Sequence, residues 1–155
     1  MTATYQQGSL SKVVVLRLPP GKDLIEGLAE ACQAHGLKSG FISSCIGSLR
    51  KASFFTVVPL ANKTGGGYSD PIAKEGPLEL VAAQGTIGID VEGNLLIHLH
   101  GALADSQGNL HGGHLIKGKC PILVTGEAMI AFLEGARAVQ RPDPEAEMNL
   151  LTFVK

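Results

Sequence analysis

Four of the five histidines of this 155-residue chain fall in one short segment, HLHGALADSQGNLHGGH (98–114). Imidazole nitrogens are common protein ligands of transition metals, so a cluster of them could hold a metal ion. The alternative is that these are polar side chains on the exposed face of a strand. The two interpretations differ in whether the rings converge, which depends on the strands that carry them.

The segment NLLIHLHGAL (94–103) has the alternation typical of a β-strand with one buried face. The apolar side chains expected to face the core are Leu95, Ile97, Leu99 and Leu103. His98 and His100 share the opposite face, with their Cβ atoms roughly 7 Å apart. That spacing allows both rings to reach one cation.

A third histidine would come from the next strand. A turn centred on Gln107 places His114 directly opposite His100, and cross-strand partners share a face. His111 would then point to the core side or sit in the turn. A slip of one residue would exchange the roles of His111 and His114, and Gly112-Gly113 would permit a bulge that weakens this register argument.

His98, His100 and His114 are therefore the predicted metal ligands. Three histidines suit zinc with an open fourth position, although nickel, copper and iron also accept imidazole. A metal that only staples the fold would have a closed fourth position. Carboxylates are expected to orient the rings, and the acidic candidates are Asp105, Glu79 and Glu127.

The length of 155 residues predicts one domain over 1–155, with residues 1–10 as a flexible tail. Apolar residues make up 45% and charged residues 17%, which favours burial of surface by self-association. The 13 basic residues are balanced by 14 acidic ones, so the charge does not favour general nucleic-acid binding. We find no leader peptide or membrane-spanning segment, and we expect a cytoplasmic protein. Three scattered cysteines are expected to be reduced and buried: Cys32, Cys45 and Cys120.

The apolar pattern predicts a mainly antiparallel central sheet with one principal helix over about 23–36 packed on it. Asp23 would cap this helix, and His35 would lie at its C-terminal end. The strands are predicted at 12–18, 40–49, 51–60, 78–90, 94–103 and 148–155, with another in LHGGHLIKG after a turn at Asp105 to Asn109. Residues 61–77 are predicted to form the longest loop. The segment 120–133 is predicted as a strand to Thr125, followed by a strand or a short helical turn, and Pro142 and Pro144 are predicted to lie in a loop.

Four blocks of the sequence resemble the plants and prokaryotes conserved domain (PPC domain), in the same order along about 12–155. The most specific is HLHGALADSQGNLHGGHL, which is similar to the family signature. The others are LRLPPGKDLIEGLAEACQAHGL, FISSCIGSLRKASF and PLELVAAQGTI. The chain resembles the stand-alone prokaryotic members, because the Arg-Gly-Arg-Pro core of the AT-hook found in plant members is not in the sequence.

The resemblance implies an α+β fold, assembly as a homotrimer, and a zinc site formed by His98, His100 and His114. The additional His111 departs from the family pattern and could compete as a ligand, and Cys45 stands where smaller or apolar residues are more usual. The family is also described as DNA-binding, but contact in plant members is attributed to the AT-hook. The acidic Asp143 and Glu145 after Arg141 would repel phosphate.

Two functions follow as hypotheses. The first is a trimeric metal-binding module in gene regulation or protein assembly, with indirect or weak DNA contact. The second is a small zinc-dependent enzyme acting on a small molecule at a cleft between subunits, with Glu79 or Glu127 as general base. Ser43 and Cys45 lack the surroundings of a catalytic nucleophile. No catalytic residue is assigned from the sequence.

Overall fold

The computed structural model describes Ala3 and residues 5–155. Within these residues the chain forms one α-helix, α1 (Leu24–Ala34), and ten strands. The strands are β1 (Ser9–Leu18), β2 (Gly40–Phe55), β3 (Val57–Pro59), β4 (Gly66–Tyr68), β5 (Ile72–Ile89), β6 (Leu95–Ala104), β7 (Leu110–Leu115), β8 (Ile122–Glu134), β9 (Arg137–Asp143) and β10 (Met148–Val154). The predicted α+β class with a mainly antiparallel sheet is confirmed.

Eight strands form one sheet in the order β1-β8-β2-β7-β6-β5-β9-β10, and β2 also pairs with β5. All of these pairings are antiparallel except the single parallel pair between β5 and β9. Because β2 contacts β5 along one edge and β8 and β7 along the other, the strands β2, β7, β6 and β5 close on one another. β3 and β4 form a separate two-stranded hairpin.

The helix begins where the sequence predicts. Asp23 is its N-cap, with Oδ1 accepting hydrogen bonds from the backbone N–H groups of Ile25 and Glu26 at 3.1 Å. Its other oxygen, Oδ2, accepts from the backbone N–H of Cys120 at 2.8 Å and so ties the helix to the segment before β8. His35 occupies the C-cap position, and Gly36 follows with a φ of 66°. At this end the N–H groups of His35 and Gly36 donate to the carbonyls of Ala31 and Gln33, which the helix itself leaves unpaired.

The core lies between the helix and one face of the sheet. Leu24 and Leu28 of α1 are fully buried, as are Leu99 and Leu103 of β6. The predicted core face of β6 is thus correct at these two positions, and His98 and His100 point away from it. All three cysteines, Cys32, Cys45 and Cys120, are free and buried, and burial raises the pKa of each thiol.

The strands predicted at 40–49 and 51–60 form one strand as far as Phe55, and the break or bend expected between them at Arg50 and Lys51 is a register shift rather than a break. These residues lie inside β2, where the ladder to β5 shifts register between Leu49 and Lys51. Because β2 continues to Phe55, it provides backbone partners for residues 72–75, which therefore form the start of β5 rather than the end of a long loop. Residues 66–68 of the predicted loop form β4.

Of the two alternatives predicted after Thr125, a strand or a short helical turn, the strand is correct, whereas the loop predicted at Pro142 is not. Residues 126–133 are a strand throughout, since β8 is paired with β1 on one edge and with β2 on the other. Pro142 lies in β9 rather than in a loop, while Pro144 follows in the turn. β9 pairs with β5 only at Val139, so the surroundings of Pro142 are a sheet edge, where proline is tolerated.

At the N-terminus, β1 starts at Ser9 and pairs with the end of β8, so residues 9 and 10 of the predicted tail belong to the sheet. Residues 1, 2 and 4 of that tail lie outside the described residues. Within the described part of the chain, no helix is long and apolar enough to cross a membrane.

Candidate metal centre

The hairpin of β6 and β7 sets the positions of the histidines. Its turn is closed by a hydrogen bond from the Asp105 N–H to the Asn109 carbonyl at 3.0 Å, and the Asp105 side chain accepts from the backbone N–H of Gln107 and of Asn109. This turn pairs His100 with His114 and His111 with Leu103. The register derived from a turn centred on Gln107 is confirmed.

The rings of His98, His100 and His114 form one cluster, called here the histidine triad. The Nε2 atoms of His98 and His100 are 2.9 Å apart, and the ring centroids are separated by 4.7 to 5.3 Å. One nitrogen from each ring can be chosen so that all three lie within 4.8 Å of one another. The three predicted residues are therefore brought together on one face of the sheet.

Glycines allow this close approach of strands. A Cβ on Gly113 would lie 2.1 Å from the carbonyl oxygen of Phe55 in β2, and one on Gly112 would lie 2.1 Å from the carbonyl oxygen of Gly101 in β6. Gly113 also has a φ of 154°, which other residues rarely adopt. The glycines before His114 thus let β7 sit between β2 and β6 without the predicted alternative of a bulge in the β6–β7 ladder.

The surroundings of two members of the triad, His98 and His114, favour the uncharged imidazole. Burial, followed by the charges of His98 and His100, lowers the pKa of His114 to about 4. Burial and then the charge of His100 also lower the pKa of His98. At neutral pH both rings are therefore in the deprotonated state that a metal ion requires.

The fourth histidine of the segment, His111, has a different partner. Its Nε2 lies 3.1 Å from Oδ2 of Asp105, and this pair is partly buried at the tip of the hairpin. Asp105 therefore contacts His111 rather than orienting a ring of the triad. The other two acidic candidates also lie elsewhere: Glu79 pairs with Ser48 and Ala104, and Glu127 pairs with Arg17 and Ile46.

A tyrosine contacts the triad, and the sequence analysis missed it. The hydroxyl oxygen of Tyr68, at the end of β4, is 3.0 Å from Nδ1 of His114, and the two rings are 5.2 Å apart in an edge arrangement. Phe55 packs on both rings at 5.5 and 6.1 Å. The one available signal was an aromatic residue directly after Gly65-Gly66-Gly67, inside the segment interpreted as a loop.

The contact of Tyr68 with Nδ1 leaves Nε2 as the nitrogen through which His114 would bind a metal. Nε2 atoms of His98 and His100 already face each other, so the donor set consists of three Nε2 atoms. Three imidazole nitrogens in this arrangement fit zinc, which is held at about 2.0–2.1 Å by each nitrogen. The residues present therefore fit the ion that the sequence predicts.

A cavity of about 390 Å³ opens above His98 and His100, and we call it the triad cavity. Its walls come from the β3–β4 hairpin and from the segment that begins β10. The residues that line it include Val57, Gly66, Gly67, Tyr68, Ala146 and Met148. No carboxylate or ammonium group is among its described lining residues.

Comparison with known proteins assigns the chain to a family. The family model of the Plants and Prokaryotes Conserved (PCC) domain matches residues 5–134, which include all three histidines of the triad. The chain belongs to this family. The resemblance to the PPC domain inferred from the sequence blocks is thus confirmed.

Relatives of this PCC-domain chain include one much longer protein. A segment of the bifunctional protein GlmU from Synechococcus is 37% identical over 137 residues, which are 88% of this chain and 19% of the relative. The chain therefore spans about a fifth of the length of the curated relatives that it matches.

Two solved structures share the fold. A metal-containing protein from Archaeoglobus fulgidus has a TM-score of 0.81 at 24% identity, over 97% of this chain and 99% of the other. A plant- and prokaryote-conserved (PPC) protein from Pyrococcus horikoshii has a TM-score of 0.81 at 22% identity, over 99% of both chains. At these identities the likeness establishes the fold of the PCC domain.

Proposed function

We propose that this PCC-domain protein is a zinc-binding module whose ligands are Nε2 of His98, His100 and His114. The observation that carries the proposal is the convergence of three imidazoles, two of them with lowered pKa values, on one face of neighbouring strands. The structural similarity to a metal-containing archaeal protein supports it. Zinc held by three histidines keeps one coordination position for an external ligand or a water of lowered pKa.

Zinc is the favoured metal because the donor set is entirely nitrogen and the site has no carboxylate among its described ligands. Other divalent transition metals also accept imidazoles, and copper and nickel bind such ligands strongly. The choice of zinc therefore rests on the three nitrogen donors and on an arrangement of rings that is compatible with a tetrahedral ion. Elemental analysis would distinguish the metals.

The test of the metal site is the metal content of the purified protein beside His100→Ala. We expect about one zinc per chain in the wild-type protein and almost none in the variant, because two imidazoles alone bind zinc weakly. His35→Ala is the matched control, since His35 lies at the helix end away from the triad. Stoichiometric metal in His100→Ala would contradict the ligand set.

We propose that the module assembles as a homotrimer in the cytoplasm and serves gene regulation or protein assembly, with DNA contact indirect or weak. An exposed apolar groove of about 570 Å³ along β1, β8 and β2 supports self-association, because Val15, Ile46 and Met129 line it and would be covered in an oligomer. The balanced charge argues against strong phosphate binding. The matching segment within GlmU supports an accessory module that can be joined to other domains.

The oligomeric state is tested by light scattering during size exclusion. We expect a particle three times the 16.1 kDa chain mass, and a smaller one for Val15→Glu, which would bury charge in the groove. Val91→Glu is the control, because Val91 is similarly apolar and exposed but lies in the β5–β6 turn. A monomeric wild-type protein would contradict the trimer and leave the metal site in place.

A second candidate function is a zinc-dependent enzyme that acts on a small molecule, and the triad cavity favours it. Its volume of about 390 Å³ is within the range of small-molecule sites, and two of the three proposed ligands, His98 and His100, line it. Glu79 and Glu127 do not line this cavity, so neither is retained as its general base. An exchangeable ligand position on the loaded protein would favour this function over a purely structural metal.

A further inference from the structure

The triad cavity has a distinct distribution of polar groups. The rings of His98 and His100 and the side chain of Tyr68 are part of its lining. Val57, Ala146 and Met148 add apolar surface, and Thr64 adds a hydroxyl that lies within hydrogen-bond distance of Oδ1 of Asn62 and of the Gly66 carbonyl. A molecule that fills this space would therefore meet imidazole and phenol groups as well as hydrocarbon.

The walls of the cavity are fastened to each other by Lys63. The backbone N–H of Lys63, in the turn of the β3–β4 hairpin, donates to Oε2 of Glu147 at 3.3 Å, and its Nζ donates to the carbonyl of Pro144 at 3.0 Å. These bonds join the hairpin to the turn that carries Ala146. The cavity is therefore bounded by two segments that are hydrogen-bonded to each other, as expected for a largely preformed ligand site.

The hydrogen bond between Tyr68 and His114 has a direction that metal binding decides. If Nε2 of His114 binds the metal, its ring proton must be on Nδ1. That N–H then donates to the Tyr68 oxygen 3.0 Å away, and the phenol proton is not used in this bond. Because Tyr68 also lines the cavity, its O–H group can donate to a ligand there.

The charge of the site selects the kind of ligand. Imidazole ligands bring no negative charge, so they would leave the double positive charge of the ion uncompensated, and the described lining of the cavity contains no carboxylate to offset it. A ligand with an anionic oxygen would satisfy both the open coordination position and the Tyr68 donor. A neutral ligand of the same shape would satisfy the apolar walls alone.

We propose that the triad cavity binds a small carboxylate with an apolar body, its carboxylate at the metal and at the Tyr68 hydroxyl and its hydrocarbon part against Val57, Ala146 and Met148. This inference rests on the proposed zinc site. Tyr68 is then a specificity-determining residue that discriminates an anionic head group. The hairpin of β3 and β4 is the element that builds the ligand site on the sheet.

Calorimetric titration of the zinc-loaded protein with hexanoate, acetate and 1-hexanol tests the proposal. We expect hexanoate to bind at least about tenfold more tightly than acetate, because its additional methylene groups leave water. We also expect hexanoate to bind at least about tenfold more tightly than 1-hexanol, which lacks the charge. Equal affinities for hexanoate and acetate, or for hexanoate and hexanol, would overturn the proposal.

Two variants locate the binding. Tyr68→Phe should weaken hexanoate and acetate binding by a similar factor of about ten, since one hydrogen bond to a charged group is lost. Its control is Tyr5→Phe, the same change at a residue that is 84% exposed. Ala146→Asp should weaken hexanoate binding by repulsion, and Ala61→Asp places the same charge on an exposed turn residue outside the cavity lining.

Zinc content measured on each sample distinguishes a failure of the proposed zinc site from a failure of the proposed carboxylate site. A wild-type protein without zinc would overturn the proposed function and this inference together. A zinc-loaded protein that shows no preference for hexanoate, or a zinc-loaded Tyr68→Phe and Ala146→Asp with wild-type affinity, would overturn the inference and leave the metal site intact. Addition of hexanoate should also change the visible spectrum of the cobalt-substituted protein, because the ligand would enter the coordination sphere of the ion.

Discussion

His111 and His114 are three residues apart on β7, yet they have opposite surroundings. His114 is packed between Tyr68, Phe55 and the rings of the triad. His111 pairs with the carboxylate of Asp105 at the tip of the same hairpin. Because successive strand residues point to opposite faces, an odd spacing places the two rings on different sides of the sheet.

The difference shows what makes a histidine suitable for a metal. The triad lowers the pKa of His114 through burial and neighbouring imidazoles and so keeps the ring nitrogen available. The contact of His111 acts instead on its partner, since hydrogen bonds from Asn109 and then from His111 lower the pKa of Asp105. One side chain type thus serves a proposed cation site on one face and a carboxylate partner near the turn.

Replacing each of these histidines should produce the largest contrast. We expect His114→Ala to lower zinc affinity by more than about 100-fold, because one of three protein ligands is lost. His111→Ala should retain stoichiometric zinc. Competition with a chromophoric chelator measures the zinc affinity of both variants. A comparable loss of affinity in the two would show that His111 also contributes to zinc binding.

The approach of β7 to β2 can be broken without touching a ring. Gly113→Ala should destabilise the fold by about 1–3 kcal/mol through strain and steric conflict, because its Cβ would meet the Phe55 carbonyl at 2.1 Å. It should also lower zinc content, since β7 must move. Gly93→Ala is the matched control: its φ of 91° is also unfavourable, but nothing lies within 4 Å of its Cβ. Urea unfolding and metal analysis measure the free energy of unfolding and the zinc content of both variants. Equal losses in the two would show that the close approach of Gly113 to β2 is unimportant.

Acid should affect the two histidine environments in different pH ranges. The pKa of His114 is about 4 in the folded metal-free protein and about 6.5 in the unfolded chain, so the unfolded chain takes up a proton first. The folded state therefore loses stability as the pH falls from about 6.5 to about 4. The pKa of Asp105 is lowered in the folded protein, so its ionised carboxylate stabilises the fold above pH 3.8. This stabilisation is lost as the pH falls below that value.

Urea unfolding in the presence of a chelator, at several pH values between 7 and 4.5, measures this effect. We expect a shallower loss of stability in His114→Gln than in the wild-type protein, because one of the imidazoles with a lowered pKa is removed. Asp105→Asn should keep the wild-type slope in this range. An unchanged slope in His114→Gln would show that the triad does not control acid sensitivity.

Asp105→Asn should have the smallest effect at neutral pH. An asparagine can still accept the backbone hydrogen bonds that close the turn, so only the ionic partner of His111 is lost. Asp90→Asn is the matched control, since Asp90 accepts from Glu92 and Asn94 in the equivalent β5–β6 turn without a histidine. We expect unchanged zinc content in both and a slightly lower melting temperature for Asp105→Asn. A larger decrease in melting temperature for Asp90→Asn would indicate that closure of the turn contributes more to stability than the contact with His111.

The hairpin of β6 and β7 was predictable because its information is local. The alternation of Leu99 and Leu103 with the histidines fixes the face, and the turn at 105–109 fixes the register that opposes His100 to His114. The helix was predictable for the same reason, from one apolar stripe and the capping residue Asp23. These features depend on residues that are close in the chain.

Tyr68 and the extent of β2 were not predictable in this way. Tyr68 reaches His114 across 46 positions, and its segment has glycines rather than a periodic pattern. The charged pair Arg50-Lys51 interrupts the apolar pattern of β2, but pairing with β5 continues after a register shift. Asp105 was predicted to orient a ring of the triad because it is near the histidines in the sequence. Its carboxylate contacts His111 instead, and closeness in the sequence does not show which histidine a carboxylate contacts.

The two-sided pairing of β2 has a consequence for the dynamics of the protein. Residues such as Ile42 and Leu49 have neighbours in both β5 and β8, and Phe54 has neighbours in β5 and β7. Amide groups enclosed in this way exchange with deuterium only when much of the molecule opens. We expect the slowest-exchanging amides of the chain to lie in β2, so their protection would report the global free energy of unfolding.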